Sequence, residues 1–161
     1  MKVLLTGSFD PVTKGHEDII LRAAKIFHEV VVGVFCNDEK EYLFSLEERA
    51  EICKAAFENN ENIRVESSSG LVVSLCKKEN CYAVVRGIRD SSDIAYEIYL
   101  NGEYKKAEPL YESIFMLADK KYSDISSSKV RKLISEGKDF SSLIPAGAQK
   151  KVNEILYKKK G

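Results

Sequence analysis

Five short apolar runs alternate with segments of helical periodicity, and this alternation constrains the fold more than any other feature of the chain. Most of the runs are continuously apolar, which is typical of strands covered on both faces. The predicted strands are Lys2–Thr6, Val30–Phe35, Asn62–Glu66, Tyr82–Arg86 and Ser113–Leu117. The predicted helices are His16–Phe27, Leu46–Phe57, Leu71–Lys78, Ser92–Lys105, Ser126–Glu136 and Ala146–Lys159. Such alternation indicates an α/β fold with a doubly wound, five-stranded parallel sheet.

The length and charge of the chain limit what it can be. Its 161 residues favour one domain over 1–161, with a core over 1–137 and a C-terminal helix over 146–159. Lys and Arg together number 25, as do Asp and Glu, so no overall basic field indicates a nucleic-acid partner.

The apolar runs and cysteines indicate the cellular compartment. No run is long enough for a membrane span or a signal peptide, so we expect a cytoplasmic protein with no membrane partner. The four cysteines contain no C-x-x-C pair and have too few histidines near them for a zinc site. We therefore expect reduced thiols.

The loop GSFDPVTKGH, at 7–16, follows the first predicted strand and leads into a helix. Unpaired backbone N–H groups and the helix dipole favour a phosphate at such a helix N-terminus. The Ser8 hydroxyl can donate to the same phosphate. The same dipole disfavours an imidazolium, so we expect His16 to be neutral and to donate one N–H. The alternative is that His16 is an exposed or helix-capping residue.

Loops from several strands should meet that first loop. In a doubly wound sheet, ligands bind at the carboxyl ends of the strands where the strand order reverses. The loops after strands one, two, four and five should therefore form one cleft. After strand two, Lys40 is the only cation in an otherwise acidic stretch, Asn37–Glu41, and a solvated loop lysine is the alternative.

Two arginines follow strand four in the sequence RGIRD. Arg86 and Arg89 lie on either side of Gly87, and their guanidinium groups can bind different phosphates in one cleft. The alternative is a structural network with Asp90 or Asp93. After strand five, three serines at 126–128 open a helix and predict a second anion site made of hydroxyls and amides. Together these loops predict a cleft for a polyphosphate and a second phosphorylated molecule.

Four segments of the chain resemble segments of a known family. GSFDPVTKGH resembles the first motif of the nucleotidyltransferase superfamily, in the form with Thr in place of the first His, and ISSS at 125–128 resembles the second. RGIRDSSDIAYE at 86–97 and FSLEER at 44–49 resemble segments of bacterial phosphopantetheine adenylyltransferases. The resemblance runs collinearly from about Lys2 to Lys132 and implies a Rossmann-like nucleotidyltransferase fold.

The resemblance also implies an activity. The family transfers AMP from ATP to 4′-phosphopantetheine, giving dephospho-coenzyme A and pyrophosphate in coenzyme A biosynthesis. By resemblance, His16 would stabilise the transition state, with Lys40 and Arg89 as further catalytic residues. The acceptor would be bound by Ser8, Lys40, Val72 and Arg86. ATP would be bound by Ser8, Phe9, His16, Gly87, Ile88, Arg89, Glu97, Tyr122, Ser123, Asp124, Ile125, Ser126, Ser127 and Ser128.

Cofactor and partners follow from the same resemblance. Mg²⁺ would assist at the triphosphate, held mainly by phosphates and water, because the sequence shows no carboxylate cage. The family is typically a homohexamer, and dephospho-coenzyme A and coenzyme A are expected as product and feedback ligands. Some positions depart from the usual pattern. Thr6 replaces a common Pro, Tyr122 and Asp124 replace Trp and Phe, and Tyr104 replaces Asn, so contacts with ATP are expected to differ.

Other functions remain as alternatives. Within the superfamily these are a cytidylyltransferase for a phospho-alcohol and a nicotinamide mononucleotide adenylyltransferase. Thr13 at the first motif position and the Arg86–Arg89 pair argue against both. A non-catalytic nucleotide sensor is the alternative from another class of protein. His16 and Lys40 argue against it, because a sensor needs no groups that stabilise a transition state.

Overall fold

The computed structural model describes residues 1–37 and 40–160, and within them the predicted alternation is present. The strands are β1 (Lys2–Gly7), β2 (Glu29–Phe35), β3 (Ile63–Ser68), β4 (Ala83–Ile88) and β5 (Ser113–Leu117). The helices are α1 (Lys14–Ile26), α2 (Leu46–Phe57), α3 (Val72–Lys78), α4 (Ser91–Ala107), α5 (Ser127–Ser135) and α6 (Ala146–Lys160). Two short 3₁₀ turns lie at Lys120–Tyr122 and Ser141–Leu143.

The strands form one parallel sheet in the order β3-β2-β1-β4-β5. The prediction of a doubly wound, five-stranded parallel sheet is therefore confirmed. Strand order reverses beside β1, which pairs with β2 on one side and with β4 on the other. Because all strands are parallel, their carboxyl ends share one edge, and the crevice at the reversal point lies there.

Helices cover both faces of the sheet. Alternate residues of β1 enter different cores: Val3 and Leu5 join the larger apolar cluster, whereas Leu4 joins the smaller one. The larger cluster includes residues of α1, α2, α5 and α6, and the smaller one residues of α3. Ala148 and Val152 of α6 are fully buried in the larger cluster, so the C-terminal helix contributes to the main core. No helix among the described residues is long and apolar enough to cross a bilayer.

Several element boundaries differ from the predicted ones. Helix α1 begins at Lys14, two residues before His16, because Thr13 is its N-cap. Strand β4 continues to Ile88, so Gly87 lies within the strand and not in the loop after it. These shifts matter because they place His16 in the first turn of a helix and the arginines at the end of a strand.

Arg49 of α2 fixes the ends of two strands. Its side chain is fully buried. Nη1 donates to the carbonyl oxygens of Ser8 (2.6 Å) and Phe35 (2.7 Å), and Nε donates to that of Phe44 (3.2 Å). The guanidinium carbon also lies 4.0 Å from the centre of the Tyr42 ring. One buried cation therefore holds the loops after β1 and β2 together.

Arg49→Met should lower the free energy of unfolding by about 3 kcal/mol, because it leaves buried carbonyl oxygens without donors. The matched control is Lys54→Met on the same helix, where the side chain is exposed and a change below about 0.5 kcal/mol is expected. Urea unfolding followed by circular dichroism measures both. An Arg49→Met variant as stable as the parent chain would contradict this role.

Candidate active site

The first loop takes its shape from Phe9. This residue has a left-handed backbone (φ 49°), and its ring is almost completely buried. A Cβ atom on Gly7 would lie 2.8 Å from that ring, so glycine is needed there. The Phe9 ring meets His16 edge to face, with ring centres 5.1 Å apart. The Phe9 side chain thus packs against His16. Only the backbone of Phe9 is therefore left for contact with a nucleotide.

Asp10 connects the first loop to the loop after β2. Its buried carboxylate accepts the backbone N–H groups of Leu43 (2.9 Å) and Phe44 (3.0 Å). The peptide bond between Asp10 and Pro11 is cis. The Asp10 carboxylate therefore has a structural role, because each of its oxygens accepts a backbone N–H group.

His16 is neutral, and its tautomer follows from one hydrogen bond. The Thr13 backbone N–H donates to His16 Nδ1 (3.0 Å), so Nδ1 is an acceptor and the ring proton is on Nε2. The Thr13 hydroxyl oxygen also lies 3.1 Å from Nδ1 and accepts the backbone N–H of His16. No hydrogen bond to Nε2 occurs within the described residues. The Nε2–H group is therefore left as a donor.

Burial of the ring is the main cause, and the charge of Arg89 a smaller one, that together lower the pKa of His16 to about 4. The predicted neutral donor therefore agrees with this environment. The alternative, that His16 caps the helix, is also correct in part. His16 completes a capping box with Thr13 at the start of α1.

The Arg86 guanidinium is held by three acceptors. Nε and Nη2 donate to the Glu97 carboxylate at distances of 2.6–2.9 Å. Nη1 donates to the Thr6 carbonyl oxygen (3.2 Å) and to the Thr6 hydroxyl. Glu97 is buried in this pair, so its predicted contact with ATP would need the pair to open, and its role here is to hold Arg86.

Arg89 also has a carboxylate partner, as the structural alternative predicted. Its Nε and Nη2 atoms each lie 3.0 Å from an oxygen of Asp93, one helical turn away. These hydrogen bonds hold the pKa of Asp93 below its usual value, in spite of its partial burial. Most of the Arg89 side chain is nevertheless exposed. Arg89 can therefore still meet a phosphate, with Asp93 beside it.

The serines at 126–128 lie at the start of α5, as predicted, but each hydroxyl already has a partner. Ser126 is the N-cap and accepts the Lys129 N–H. Ser127 donates to the Pro11 carbonyl (2.8 Å), and Ser128 accepts from Arg131 Nη2 (3.1 Å). The Ser127 bond joins the loop after β5 to the loop after β1.

The remaining residues predicted to bind ATP differ in exposure. Ile88 is buried, so only its backbone can meet a ligand, whereas Gly87 is exposed. A Cβ on Gly15 would lie 3.6 Å from the Cβ of Tyr122, so Tyr122 is next to the first turn of α1. Ser123 and Asp124 are exposed beside it, and Ile125 is half-buried.

The residues predicted to bind the acceptor lie on three loops. The Ser8 hydroxyl is 3.5 Å from that of Tyr42. Val72 is half-buried at the first position of α3. Lys40 is exposed on the loop after β2, and its backbone N–H donates to Asn37 (3.0 Å). Asp38 and Glu39, from the acidic stretch around Lys40, lie outside the described residues.

Sequence analysis did not identify Arg131. Its Nη1 atom donates to the Asp10 carbonyl (2.9 Å) and lies 3.5 Å from the Asp10 carboxylate. It joins α5 to the first loop. The available signal was its position three residues after Ser128, on the same face of a helix that begins at the cleft. The role of Arg49 was also missed. Its signal was a charged residue among the buried positions of α2.

Among residues 1–37 and 40–160, no group of three or more His, Cys, Asp or Glu residues is arranged to hold a metal ion. The carboxylates of Asp10, Asp93 and Glu97 are bonded to N–H groups of the protein. A divalent ion in this cleft would therefore take most of its ligands from bound phosphates and water.

The depressed pKa of His16 predicts a change of stability with pH. Between pH 6.5 and 4 the unfolded chain binds a proton at His16 and the folded chain does not, so stability falls as the pH is lowered. From about pH 7 to pH 5 this contribution should be roughly 1–2 kcal/mol. His16→Asn, whose side-chain oxygen can accept the Thr13 N–H, should remove it. His28→Asn, at the other and exposed histidine, should not. Urea unfolding at both pH values tests this, and equal pH dependence in all three proteins would contradict it.

Comparisons with known proteins agree with this geometry. A family model described as cytidylyltransferase-like matches residues 4–133. The chain is 45% identical over 139 residues to the phosphopantetheine adenylyltransferase of Heliobacterium modesticaldum, covering 86% of this chain and 83% of that one. It is 43% identical over 144 residues to that of Finegoldia magna, covering 89% of each. It is 38% identical over 152 residues to that of Clostridium novyi, covering 94% and 92%. The chain therefore belongs to the phosphopantetheine adenylyltransferase family of the cytidylyltransferase-like nucleotidyltransferases.

Proposed function

We propose that this enzyme transfers AMP from ATP to 4′-phosphopantetheine, giving dephospho-coenzyme A and pyrophosphate for coenzyme A biosynthesis. Its family membership supports the reaction. The single structural observation that carries the mechanism is the neutral His16, whose Nε2–H is left as a donor in the loop after β1. Neither a Cys nucleophile nor a pair of acid–base carboxylates is needed for this chemistry.

The transfer is a direct in-line displacement. An oxygen of the acceptor 4′-phosphate forms a bond to the α-phosphorus of ATP. The bond from that phosphorus to the bridging oxygen of the β-phosphate breaks, and pyrophosphate leaves with the electron pair. No proton transfer is required at the nucleophile, since it is already an anion. The main obstacle is therefore the repulsion between two phosphorylated substrates.

Two effects lower the barrier. Holding both substrates in line can contribute about 7–11 kcal/mol. A hydrogen bond from His16 Nε2–H to an oxygen of the α-phosphate, where negative charge develops, contributes about 3 kcal/mol if it behaves as one oxyanion donor does. A neutral donor suits this purpose because its charge does not change with pH above about 5, given a pKa of about 4.

The substrates are assigned to the two sides of the first loop. The acceptor would bind Ser8, Lys40, Val72 and Arg86. The triphosphate would bind the first loop, Arg89 and the start of α5. The remaining contacts with ATP would come from the backbone of Phe9, from Gly87 and Ile88, from Glu97 if its pair with Arg86 opens, and from the segment 122–125. Magnesium, held through the phosphates, would neutralise part of the charge on ATP.

We also propose that the chain assembles as a homohexamer. Helix α4 supports this, because Glu97 is its one buried residue among those described, whereas Tyr96, Ile98 and Tyr99 are each more than half exposed. Edge strand β5 adds the exposed Phe115 and Leu117. Apolar patches of this kind on one helix and a sheet edge are typical of protein interfaces.

The free thiols of the four cysteines support the proposal of a cytoplasmic location. Coenzyme A and dephospho-coenzyme A are proposed as feedback ligands, because a product that contains both substrates' groups can occupy the same cleft.

The activity is tested by pyrophosphate release. ATP with 4′-phosphopantetheine should give pyrophosphate, whereas CTP with the same acceptor, or ATP with nicotinamide mononucleotide, should give little. Turnover with CTP and a phospho-alcohol would favour the cytidylyltransferase alternative. Binding of ATP without pyrophosphate from any acceptor would favour a nucleotide sensor.

His16→Ala should reduce turnover by a factor of about 100 or more, because it removes the proposed transition-state donor. Binding of ATP should stay within several-fold, since the phosphate contacts of the loops remain. Steady-state rates and calorimetric titration with ATP measure the two effects. His28→Ala, at the exposed histidine after α1, is the matched control and should keep normal turnover. Near-normal turnover in His16→Ala would contradict the assignment.

Assembly is tested by substituting one residue of the α4 face. Ile98→Asp should give species smaller than six copies of the 18.1-kDa chain in sedimentation velocity, because it places a charge in the proposed interface. Tyr157→Asp, at the 82% exposed tyrosine of α6, is the control and should leave the mass unchanged. A hexamer that persists in Ile98→Asp would exclude the α4 face as the interface.

A further inference from the structure

We propose that the Thr6 hydroxyl is a second ligand, beside Arg86, for the 4′-phosphate of the acceptor. This inference rests on the proposed function and adds to the binding site a residue outside the acceptor set assigned above. Its evidence is the position of Thr6 at the reversal point of the sheet and the direction in which its hydrogen bond with Arg86 must run.

Thr6 and Arg86 lie side by side on neighbouring strands. Leu5 of β1 is opposite Val85 of β4, so the next residue of each strand follows that pair toward the carboxyl edge. Leu4 and Val84 lie two positions before Thr6 and Arg86 and belong to the smaller apolar cluster. Since side chains alternate along a strand, Thr6 and Arg86 project from this same face. They are the polar end of that face, at the edge where ligands bind.

The direction of the Thr6–Arg86 hydrogen bond is fixed by chemistry. A guanidinium has five N–H donors and no acceptor, so the Thr6 hydroxyl oxygen must accept from Arg86 Nη1. The hydroxyl proton is then directed away from Arg86. No acceptor for it occurs among residues 1–37 and 40–160. Thr6 is half-buried, which keeps this proton within reach of a ligand.

Arg86 has few donors left for a phosphate. Its Nε and Nη2 atoms donate to Glu97, and Nη1 donates to both oxygens of Thr6. One N–H of Nη2 has no partner in these bonds, so Arg86 alone would hold a phosphate oxygen through a single hydrogen bond. The Thr6 hydroxyl, polarised by the cation next to it, supplies a second donor at the same place.

The pair therefore forms a phosphate clamp, defined here as Thr6 Oγ1–H and Arg86 Nη2–H. Glu97 completes it by holding the guanidinium plane with hydrogen bonds from two nitrogens. Glu97 is a positioning residue, whereas Thr6 touches the substrate. The ion pair also limits the local positive charge, so recognition of the phosphate depends on directed donors as well as on attraction.

Calorimetric titration of the full-length protein with 4′-phosphopantetheine, without ATP, tests the clamp independently of turnover. Thr6→Val keeps the shape of the side chain and removes the hydroxyl. It should weaken binding of 4′-phosphopantetheine about tenfold or more, as for loss of a hydrogen bond to a charged group. Binding of ATP should stay within about twofold. Thr6→Ser restores the hydroxyl and should recover affinity to within about threefold of the parent chain.

A second titration separates direct contact from an effect through Arg86. In an Arg86→Lys background a cation remains but the guanidinium is absent. If Thr6 donates to the phosphate, Thr6→Val should still weaken binding of 4′-phosphopantetheine in that background. If Thr6→Val does not weaken binding of 4′-phosphopantetheine in the Arg86→Lys background, Thr6 only holds Arg86 and the proposal is overturned. Thermal unfolding of each variant shows whether the fold is intact.

Three further results of these titrations distinguish the clamp from the proposed function. Unchanged binding of 4′-phosphopantetheine in Thr6→Val, or an equal loss for ATP, overturns the clamp. If the parent chain does not bind 4′-phosphopantetheine, both the clamp and the proposed function fail. If it binds and Thr6→Val weakens that binding, but no pyrophosphate is released with ATP, the clamp stands and the proposed reaction fails.

Discussion

The buried guanidinium of Arg49 is the contact on which the geometry of the cleft depends. A buried charge is costly unless hydrogen bonds satisfy it, and here backbone carbonyls of the first loop, of β2 and of the loop before α2 do so. Asp10 is a buried carboxylate that accepts hydrogen bonds from the backbone N–H groups of Leu43 and Phe44. The two ions fix where the first loop stands relative to β2, and thus where Ser8 and His16 can lie.

The two arginines at the end of β4 each form an ion pair. Arg86 is bonded to Glu97 and Arg89 to Asp93, in keeping with a chain whose formal charges sum to zero. Paired arginines attract a phosphate less than bare ones, but they are held in position before the substrate arrives. Less conformational entropy is then lost on binding. Thr6 and Tyr104, two of the positions expected to depart from the usual family pattern, both lie near Arg86.

The fold and the loops of the site could be predicted from the sequence because they depend on local patterns. Continuous apolar runs between helices predicted the sheet, and the loop at 7–16 and the serines at 126–128 were placed correctly at its edge. The partners of charged side chains could not be predicted. Arg49 donates hydrogen bonds to residues that are 5 to 41 positions away in the sequence. Arg131 donates one to Asp10, which is 121 positions away. Such contacts depend on tertiary packing, which periodicity does not encode.

The hydrogen bond from the Thr13 N–H to His16 Nδ1 both caps helix α1 and affects the chemistry of the site. In a capping box the third residue of the helix accepts the N–H of the N-cap, and this acceptor is commonly the carboxylate or amide of Glu or Gln. Here the acceptor is a ring nitrogen. An imidazole that accepts at Nδ1 while neutral must carry its proton on Nε2. The interaction that begins α1 therefore also decides which nitrogen of His16 can donate to a phosphate. Because burial holds the ring neutral, that choice persists across the physiological pH range.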